Sequence, residues 1–345
     1  MIKIGIIGDG YTAADLIRLF AGHDQAEVVA ITSVDNIGKK FSDIYPHLNG
    51  FTDIVLEPTS IDGLQGRVDA VFLAVPHGQS VPLVKGLVEI GIKCIDLGAD
   101  FRLQDTAVYQ KHYHLEHKAP DLLKQAVYGI PEFYREQIKQ AMVVANPGCY
   151  PTGATFALAP LLRGGLIKEK GIIVDSKSGV TGAGRSPSLN SHFCEVNEGL
   201  KAYGVGSHRH QPEIEQELSQ AAGNDIHITF TPHLIPMNRG ILTTAYAELK
   251  VGVDPEAVRA VFEKEYGQES FVKLLPEGIF PQTKWVYGSN YVFIGLHVDS
   301  ETGRVIVVSA IDNLTKGASG QAVQSFNVMF GLDENKALTA AGIYP

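Results

Sequence analysis

The order of apolar and polar positions divides the chain into two parts. In the first part, short continuous apolar runs alternate with helical patterns; these runs cover Ile2 to Ile7, Glu27 to Ile31, Val68 to Val75, Ile92 to Leu97 and Met142 to Ala145. Continuous apolar strands separated by crossover segments are typical of a parallel sheet that is covered on both faces. The first part therefore predicts an α/β domain with a Rossmann-type, doubly wound parallel sheet.

The pattern changes after about residue 148. Apolar and polar residues alternate more regularly in Ile241 to Leu249, Tyr291 to Val298 and Val305 to Ile311, and the polar segment Asp299 to Gly303 is typical of a hairpin turn. Helices are predicted over Pro212 to Ala222 and Pro255 to Tyr266, each with proline at an early position. We predict an α+β domain with a mostly antiparallel sheet, and domain boundaries at 1–148 and 149–316, with segment 317–345 returning to the first domain.

Composition narrows the class of protein. The 345 residues are 45% hydrophobic and carry a net charge of −9 with no basic run, so a nucleic-acid partner is not expected. The apolar N-terminal stretch is interrupted by glycine after a few residues, so neither a secretory signal nor a membrane span is predicted there. A cytoplasmic location is the default expectation. Three cysteines are too few for a disulfide framework.

A glycine-rich turn follows the first strand and opens a helical pattern. Its sequence, Gly8-Asp9-Gly10-Tyr11-Thr12-Ala13, matches G-x-G-x-x-A in the strand-turn-helix context of a dinucleotide site. Glycine permits close approach of the pyrophosphate, which then faces a helix N-terminus. A plain strand-to-helix turn is the alternative. The expected cofactor contacts are Gly8, Gly10, Tyr11, Thr12 and Ala13.

The end of the second strand favours NADP over NAD. An NAD site places Asp or Glu there to bind the ribose 2′-hydroxyl, whereas this strand ends Thr32-Ser33. The Ser33 hydroxyl can bind a 2′-phosphate, and Lys39 and Lys40 lie close in sequence. The nearby Asp35 argues the other way.

Cys149 is the candidate nucleophile. It follows a buried strand and Asn146-Pro147-Gly148, and a helix is predicted to begin near Pro151. A thiol close to a helix N-terminus has a lowered pKa and reacts as the thiolate. A buried structural cysteine is the alternative, but the preceding Pro-Gly argues against a core position. Cys94 lies in an apolar run and Cys194 has no activating context.

Two histidines precede the predicted helix at Pro212. His208 and His210 would project to the same side of an extended segment and could supply a general acid/base and its orienting partner. A polar loop with hydrogen-bonded histidines is the alternative. A third group, His112, His114 and His117, is not predicted to bind metal, because no cysteine or acidic set at ligand spacing completes it.

Anion contacts are expected from two segments. Lys177 to Arg185 combines cations, hydroxyls and glycine amides that can hold a phosphate or carboxylate, with a flexible loop as the alternative. Arg102 follows a first-domain strand and would emerge at the edge of the sheet where ligands bind. A surface ion pair with Asp100 or Asp105 would explain Arg102 equally well.

Together these segments resemble the N-acetyl-γ-glutamyl-phosphate reductase family of arginine biosynthesis over nearly the whole chain. Further similar segments are residues 74–80, 96–103, 127–132, 231–240 and 316–324. The chain departs from the family at the first loop, which is usually G-x-x-G-Y-T-G, and at Val34, where the family often has Arg. Both departures concern the cofactor rather than the acyl chemistry.

The resemblance implies a reaction and a set of roles. Cys149 would attack the γ-acyl phosphate, and NADPH would reduce the thioester to N-acetylglutamate 5-semialdehyde. His208 would be the acid/base, supported by His210. The implied substrate contacts are Arg102, Ser178, Gly179 and Arg185, and Pro76 and Gly78 join the cofactor contacts. Residues 1–148 would bind the dinucleotide, and 149–316 would carry catalysis and the interface of a homodimer or homotetramer.

Other functions remain open at this stage. Aspartate-semialdehyde dehydrogenase and a reductase of carrier-bound aminoadipyl phosphate are related alternatives, and the His208-Arg209-His210 pattern argues against the first. A nucleotide-binding sensor without turnover would keep the Gly8 loop but would not need a reactive thiol.

Overall fold

The computed structural model describes all of residues 1–345. Its strands are β1 (Ile2–Ile7), β2 (Ala26–Ser33), β3 (Glu57–Pro58), β4 (Ala70–Leu73), β5 (Lys93–Asp96), β6 (Val127–Tyr128), β7 (Val143–Ala145), β8 (Ile172–Ser178), β9 (Lys201–Ala202), β10 (Ile228–Leu234), β11 (Ile241–Glu248), β12 (Val272–Leu274), β13 (Val292–Asp299) and β14 (Arg304–Ile311).

The helices are distributed along the whole chain. They are α1 (Tyr11–Phe20), α2 (Phe41–Ile44), α3 (Ile61–Leu64), α4 (Ser80–Glu89), α5 (Thr106–Tyr113), α6 (Pro120–Gln125), α7 (Pro131–Gln140), α8 (Cys149–Arg163), α9 (Phe193–Val196), α10 (Gln211–Ala222), α11 (Pro255–Tyr266) and α12 (Gly320–Met329). None of them combines the length and the apolar character that a membrane span requires.

The chain forms two compact units, of which the first contains residues 1–147 and 318–339. Its seven strands lie in the order β3-β2-β1-β4-β5-β7-β6, and every neighbouring pair is parallel. The strands are apolar at consecutive positions because both faces of the sheet are covered. All four residues of β4, for example, are buried. The predicted doubly wound parallel sheet is confirmed.

The second unit contains residues 148–317 and 340–345. Its sheet has the order β12-β13-β14-β11-β8-β10-β9. Pairs β8–β10 and β12–β13 are parallel and the other pairs are antiparallel, so the prediction of a mostly antiparallel sheet is confirmed. Helix α8 is buried from Tyr150 to Leu162 and packs against α10, β11 and β14, so it forms the centre of this unit.

The C-terminal segment is divided between the two units. The prediction that all of 317–345 returns to the first unit is therefore wrong at both ends of this segment. Helix α12 is buried along its length in the first unit, where the Phe326 ring contacts those of Phe20 and Phe72. Gly317 and residues 340–345 belong to the second unit. There the Ile343 N–H donates to the Tyr287 carbonyl at 2.9 Å, a pairing that apolar periodicity cannot reveal.

Candidate active site

Cys149 is the first residue of α8, so the thiol belongs to the helix end itself. Gly148 is the N-cap and has no side chain that could cap the helix, and the first turn contains no acidic residue. The partial positive charge of the helix start therefore favours thiolate over thiol. Cys149 is partly exposed, whereas Cys94 is enclosed in β5, where burial raises the pKa of its thiol, and Cys194 lies exposed in α9.

Two side chains at the start of α10 hold the residue before the nucleophile. The buried Glu213 accepts the Gly148 N–H at 2.8 Å through Oε1. The His210 ring lies against the same residue: a Cβ added to Gly148 would stand 2.5 Å from Nε2. Glycine at 148 thus leaves the space that the imidazole occupies. Sequence reasoning missed Glu213, although an acidic residue directly after Pro212 in a first helical turn was a visible signal.

His208 sits among aromatic rings. Its ring centroid lies 5.3–5.5 Å from those of Tyr150, Tyr203 and Phe230. Its Nδ1 accepts the backbone N–H of His210 at 3.1 Å, so the proton of the neutral ring is on Nε2. Burial, and to a lesser degree Arg209, lowers the pKa of His208 to about 4. His208 is therefore neutral at physiological pH.

The two tyrosines beside His208 form a neutral polar pair. The hydroxyls of Tyr150 and Tyr203 lie 2.9 Å apart, and Tyr150 also donates to the carbonyl of His233 at 3.3 Å. Burial raises the pKa of Tyr203 to about 12 and that of Tyr150 further. The two tyrosines thus contribute no charge beside His208, and sequence reasoning did not anticipate them.

The chain after β8 crosses another loop closely. Ser178 ends β8, is buried and donates from Oγ to the Gly179 carbonyl at 3.0 Å. A Cβ on Gly179 would stand 2.5 Å from the Asn238 carbonyl oxygen. Gly179 is therefore needed for backbone packing. Arg185 lies further along in an exposed stretch, outside this packed crossing.

An ion pair fixes the loop that crosses Gly179. Arg239, next to Asn238, binds the fully buried Asp312 through Nε at 2.9 Å and also donates to Thr315 Oγ1 at 2.9 Å. Asp312 additionally accepts the Gly288 N–H at 2.6 Å. A few residues further along, Gly317 packs on the nucleophile: a Cβ there would stand 2.9 Å from Cβ of Cys149. Sequence reasoning did not anticipate these contacts.

The glycine turn of the first unit brings its backbone close to the neighbouring strand and leaves the start of α1 open. Gly8 has φ +114°, and a Cβ there would stand 2.3 Å from the Ala74 carbonyl oxygen, so only glycine fits. Gly10 is the N-cap of α1, has open space where a Cβ would be, and is not bridged by a side-chain cap. The N–H groups of Tyr11, Thr12 and Ala13 begin this helix, as predicted.

The position after β2 contains a carboxylate that the sequence pattern did not place there. Ser33 Oγ donates to Asp9 Oδ2 at 2.8 Å, and Asn36 Nδ2 donates to the same oxygen at 2.7 Å. Lys39 bonds to Asn36, whereas Lys40 pairs with Asp53. Asp9 belongs to the glycine turn, so the residues at the end of β2 give no sign of this carboxylate.

The loop after β4 and the residue Arg102 complete the predicted set in the first unit. Pro76 and Gly78 are exposed, and the Gly78 N–H donates to the buried Asp100. Arg102 is only 8% exposed and donates to two backbone carbonyls, those of Asn146 and Leu97. The alternative of a surface ion pair for Arg102 is therefore wrong.

The histidines near α5 do not share a helical face. Helix α5 ends at Tyr113, and His114 follows as an exposed C-cap with φ +57°. His117 is buried with its ring against Phe101 and Tyr109. The left-handed C-cap separates these two histidines, so their spacing of three residues does not place them on one face of a helix.

Two family models match the chain and define its class. Residues 3–141 match the NAD binding domain of semialdehyde dehydrogenase, and residues 149–313 match the dimerisation domain of the same family. The fold agrees: aspartate semialdehyde dehydrogenase II of Vibrio cholerae, complexed with ASA, superimposes with a TM-score of 0.73 at 15% identity, covering 96% of this chain and 98% of that one. The chain therefore belongs to the semialdehyde dehydrogenase family.

Relatives at higher identity narrow this class. N-acetyl-γ-glutamyl-phosphate reductase of Heliobacterium modesticaldum is 53% identical over 351 residues, covering 100% of both chains. The enzyme of that name from Pelotomaculum thermopropionicum is 53% identical over 345 residues, covering 100% of this chain and 99% of the relative. The chain belongs to the N-acetyl-γ-glutamyl-phosphate reductase family, and NADP, the cofactor predicted from the sequence, agrees with that membership.

Proposed function

We propose that the protein reduces N-acetyl-γ-glutamyl phosphate to N-acetylglutamate 5-semialdehyde and phosphate with NADPH, a step of arginine biosynthesis. The observation that carries the mechanism is the position of Cys149 at the N-terminus of α8, with the His210 ring against the residue before it. A thiolate beside an imidazole is the arrangement that nucleophilic catalysis through cysteine requires.

The Cys149 thiolate attacks the acyl carbon, a C–S bond forms, and the bond from that carbon to the phosphate oxygen breaks. The N-terminal end of α8 stabilises the anionic sulfur before attack and again when it leaves. NADPH, when bound, supplies the hydride that the thioester carbon accepts. The C–S bond then breaks, the aldehyde is released and Cys149 returns to thiolate.

We assign the acid/base role to His210 and a positioning role to His208, the reverse of the expectation from family resemblance. His208 binds a backbone N–H through Nδ1, lies among three aromatic rings and resists protonation. His210 touches the Gly148 backbone, one residue from the sulfur. A group that accepts and returns the proton of the thiol has to lie near the reacting atoms, and His210 meets this condition through its contact with Gly148.

The remaining predicted residues receive roles according to their contacts. Ser178 and Gly179 shape the segment that we propose for substrate binding, and Arg185 is an exposed cation of the same segment. Arg102 positions the chain before Cys149, because it holds the Asn146 carbonyl at 2.8 Å.

For the cofactor, we propose Gly8, Gly10, Tyr11, Thr12, Ala13, Ser33, Pro76 and Gly78. A buried acceptor supports a ligand at this end of the first sheet: Asn146 Oδ1 follows β7 and has no hydrogen-bond partner. Ligands of doubly wound folds bind at the carboxyl ends of the strands, and the carboxamide of nicotinamide offers the missing N–H donor.

The match to a dimerisation domain supports a homo-oligomer, and we propose a homodimer or homotetramer. The proposed biosynthetic role also places the enzyme in the cytoplasm. Gel filtration with light scattering tests the first statement, and a monomer at assay concentration would reject it.

Turnover in the reverse direction tests the function. The protein is incubated with N-acetylglutamate semialdehyde, phosphate and NADP, with NAD, aspartate semialdehyde and a carrier-bound aminoadipate semialdehyde as alternatives. We expect phosphate-dependent NADPH formation with the acetylated substrate, and its loss in Cys149→Ala while NADP still binds. Faster turnover of either alternative aldehyde would reject the substrate, and comparable turnover by Cys149→Ala would reject the thioester.

A further inference from the structure

Two carboxylates of the first unit meet at one serine hydroxyl. Asp96 ends β5, Asp100 follows four residues later, and Ser80 begins α4; all three are 0% exposed. Ser80 Oγ lies 2.9 Å from Asp96 Oδ2 and 2.8 Å from Asp100 Oδ2. The proposed mechanism uses none of these side chains.

A hydroxyl has one proton, so Ser80 can donate to only one of these two oxygens. The other short contact requires a proton on a carboxyl group. Asp100 already accepts the N–H of Gly78 at 2.6 Å, the N–H of Ser80 at 3.0 Å and the hydroxyl of Tyr109 at 2.8 Å. It also lies at the N-terminus of α4, where negative charge is stabilised. Asp100 is therefore the ionised partner.

Asp96 has fewer donors. Its Oδ1 accepts the Gly98 N–H at 2.9 Å, and its Oδ2 faces Ser80 alone. We propose that Asp96 is a neutral carboxylic acid that donates to Ser80, that Ser80 donates to Asp100, and that this chain of hydrogen bonds positions loop 76–80 for NADPH. The inference rests on the proposed cofactor role of Gly78.

The surroundings of Asp96 agree with a retained proton. Burial first, and then the charge of Asp100, raises the pKa of Asp96 to about 7, although Gly98, Ser80 and the nearby Arg102 act in the opposite direction. The other titratable groups that face this pair are Cys94, Tyr109, Tyr113 and His117. Burial raises the pKa of Cys94 and of Tyr109 and lowers that of His117, so these three are neutral at physiological pH.

The loop depends on this arrangement because its backbone conformation is unusual. Gly78 has φ +85°, a conformation that its bond to Asp100 holds. Ionised Asp96 would leave two negative groups at one hydroxyl, in a fully buried site where their repulsion is weakly screened. We expect Asp100 and the Gly78 N–H to separate when the proton is lost, which weakens NADPH binding at alkaline pH.

Asparagine and alanine substitutions separate the two carboxyl groups. In Asp96→Asn the amide donates to Ser80 and its carbonyl accepts from Gly98, so this variant imitates the neutral acid. Asp100→Asn replaces an acceptor of several donors by a group that itself donates. Ser80→Ala removes the bridge, and Asp121→Asn, on the exposed start of α6, is the charge-matched control.

The experiment measures NADPH affinity of the full-length protein by fluorescence titration between about pH 6 and about pH 9. We expect wild type and Asp121→Asn to lose about fivefold or more in affinity across this range, and Asp96→Asn to lose less than about twofold. Asp100→Asn should weaken binding by about tenfold or more at every pH, because a buried donor loses its acceptor. The NADPH affinity of Ser80→Ala should lie between those of Asp96→Asn and Asp100→Asn.

Circular dichroism verifies folding, and if Asp100→Asn does not fold, Ser80→Ala and Tyr109→Phe replace it. Isotope-edited infrared spectra supply a second readout, a neutral carboxyl band near pH 6 that disappears in Asp96→Asn. The inference alone would be overturned if Asp96→Asn and Asp100→Asn lost NADPH affinity equally, or if the affinity of wild type did not change with pH. Failure of wild type to bind NADPH at any pH would instead overturn the proposed function.

Discussion

The ring of His210 packs against the backbone of Gly148, with Nε2 2.5 Å from the point where a Cβ of residue 148 would lie. Gly148 is also the N-cap of α8, so a single glycine adjoins both the candidate base and the candidate nucleophile. The requirement for glycine at this position comes from the imidazole and not from backbone strain, since Gly148 has φ −68°.

Gly148→Ala should displace His210 while leaving the backbone conformation permitted. A displacement of about 1 Å at a reacting group costs roughly a hundredfold in rate, and we expect kcat to fall by about that factor. NADPH affinity should be unchanged. Steady-state kinetics with fluorescence titration tests this, with Gly22→Ala as control because a Cβ there meets only the Leu19 carbonyl oxygen, at 3.7 Å. Full activity in Gly148→Ala would remove His210 from the mechanism.

Glu213 should act as a positioning residue for Cys149. Its replacement by alanine leaves the buried Gly148 N–H without its acceptor, a loss of about 1–3 kcal/mol that should appear as a fall in kcat of about tenfold or more. Glu213→Gln retains an oxygen acceptor of the same length and should recover most of the rate. The kcat values and pH-rate profiles of both variants test this. If both lose activity equally, the charge rather than the hydrogen bond is what matters.

The periodicity of the chain predicted the layers of the fold well and its fine boundaries less well. Strand β1 and helix α11 have the predicted bounds, because a continuous apolar run and a proline at the helix start are strong local signals. Segment 340–345 was assigned to the wrong unit, because its placement depends on long-range contacts such as the hydrogen bond from Ile343 to Tyr287.

The candidate site shows the same division between local and long-range information. Cys149 at a helix start was predictable from Asn-Pro-Gly before it, since those residues stop a strand and open a turn. The aromatic surroundings of His208, on which the proposed exchange of roles with His210 rests, were not predictable, because the rings come from Tyr150, Tyr203 and Phe230. Asp9 was likewise missed, because its partner Ser33 is 24 residues away in sequence.

His208 should make the protein less stable in acid. Its pKa is about 4 in the folded protein against 6.5 for a free side chain, so the unfolded state binds the extra proton between these values. The contribution of His208 is therefore complete above about pH 6.5 and is lost as pH falls towards 4, by up to about 3 kcal/mol.

Replacing His208 by phenylalanine removes this titration and retains an aromatic ring. Urea unfolding at about pH 5 and about pH 7.5 should show a smaller stability difference between the two conditions for His208→Phe than for wild type. His192→Phe is the control, because His192 lies in the exposed stretch around α9. The idea fails if His208→Phe and wild type lose the same stability in acid.

Asp9 should weaken the preference for NADP. Its carboxylate accepts hydrogen bonds from Ser33 and Asn36, which lie where a 2′-phosphate would be recognised. The negative charge of Asp9 repels that phosphate. Asp9→Asn keeps the side-chain size and removes the charge. We expect the KM for NADPH to fall by about threefold to tenfold, the size of effect expected from an unfavourable pair of charges near a protein surface, with little change for NADH.

The effect should shrink at high salt because screening already weakens this repulsion in wild type. Asp53→Asn, which removes the exposed partner of Lys40, controls for net charge. An equal change of KM for both cofactors would show that Asp9 shapes the glycine turn rather than discriminating the 2′-phosphate.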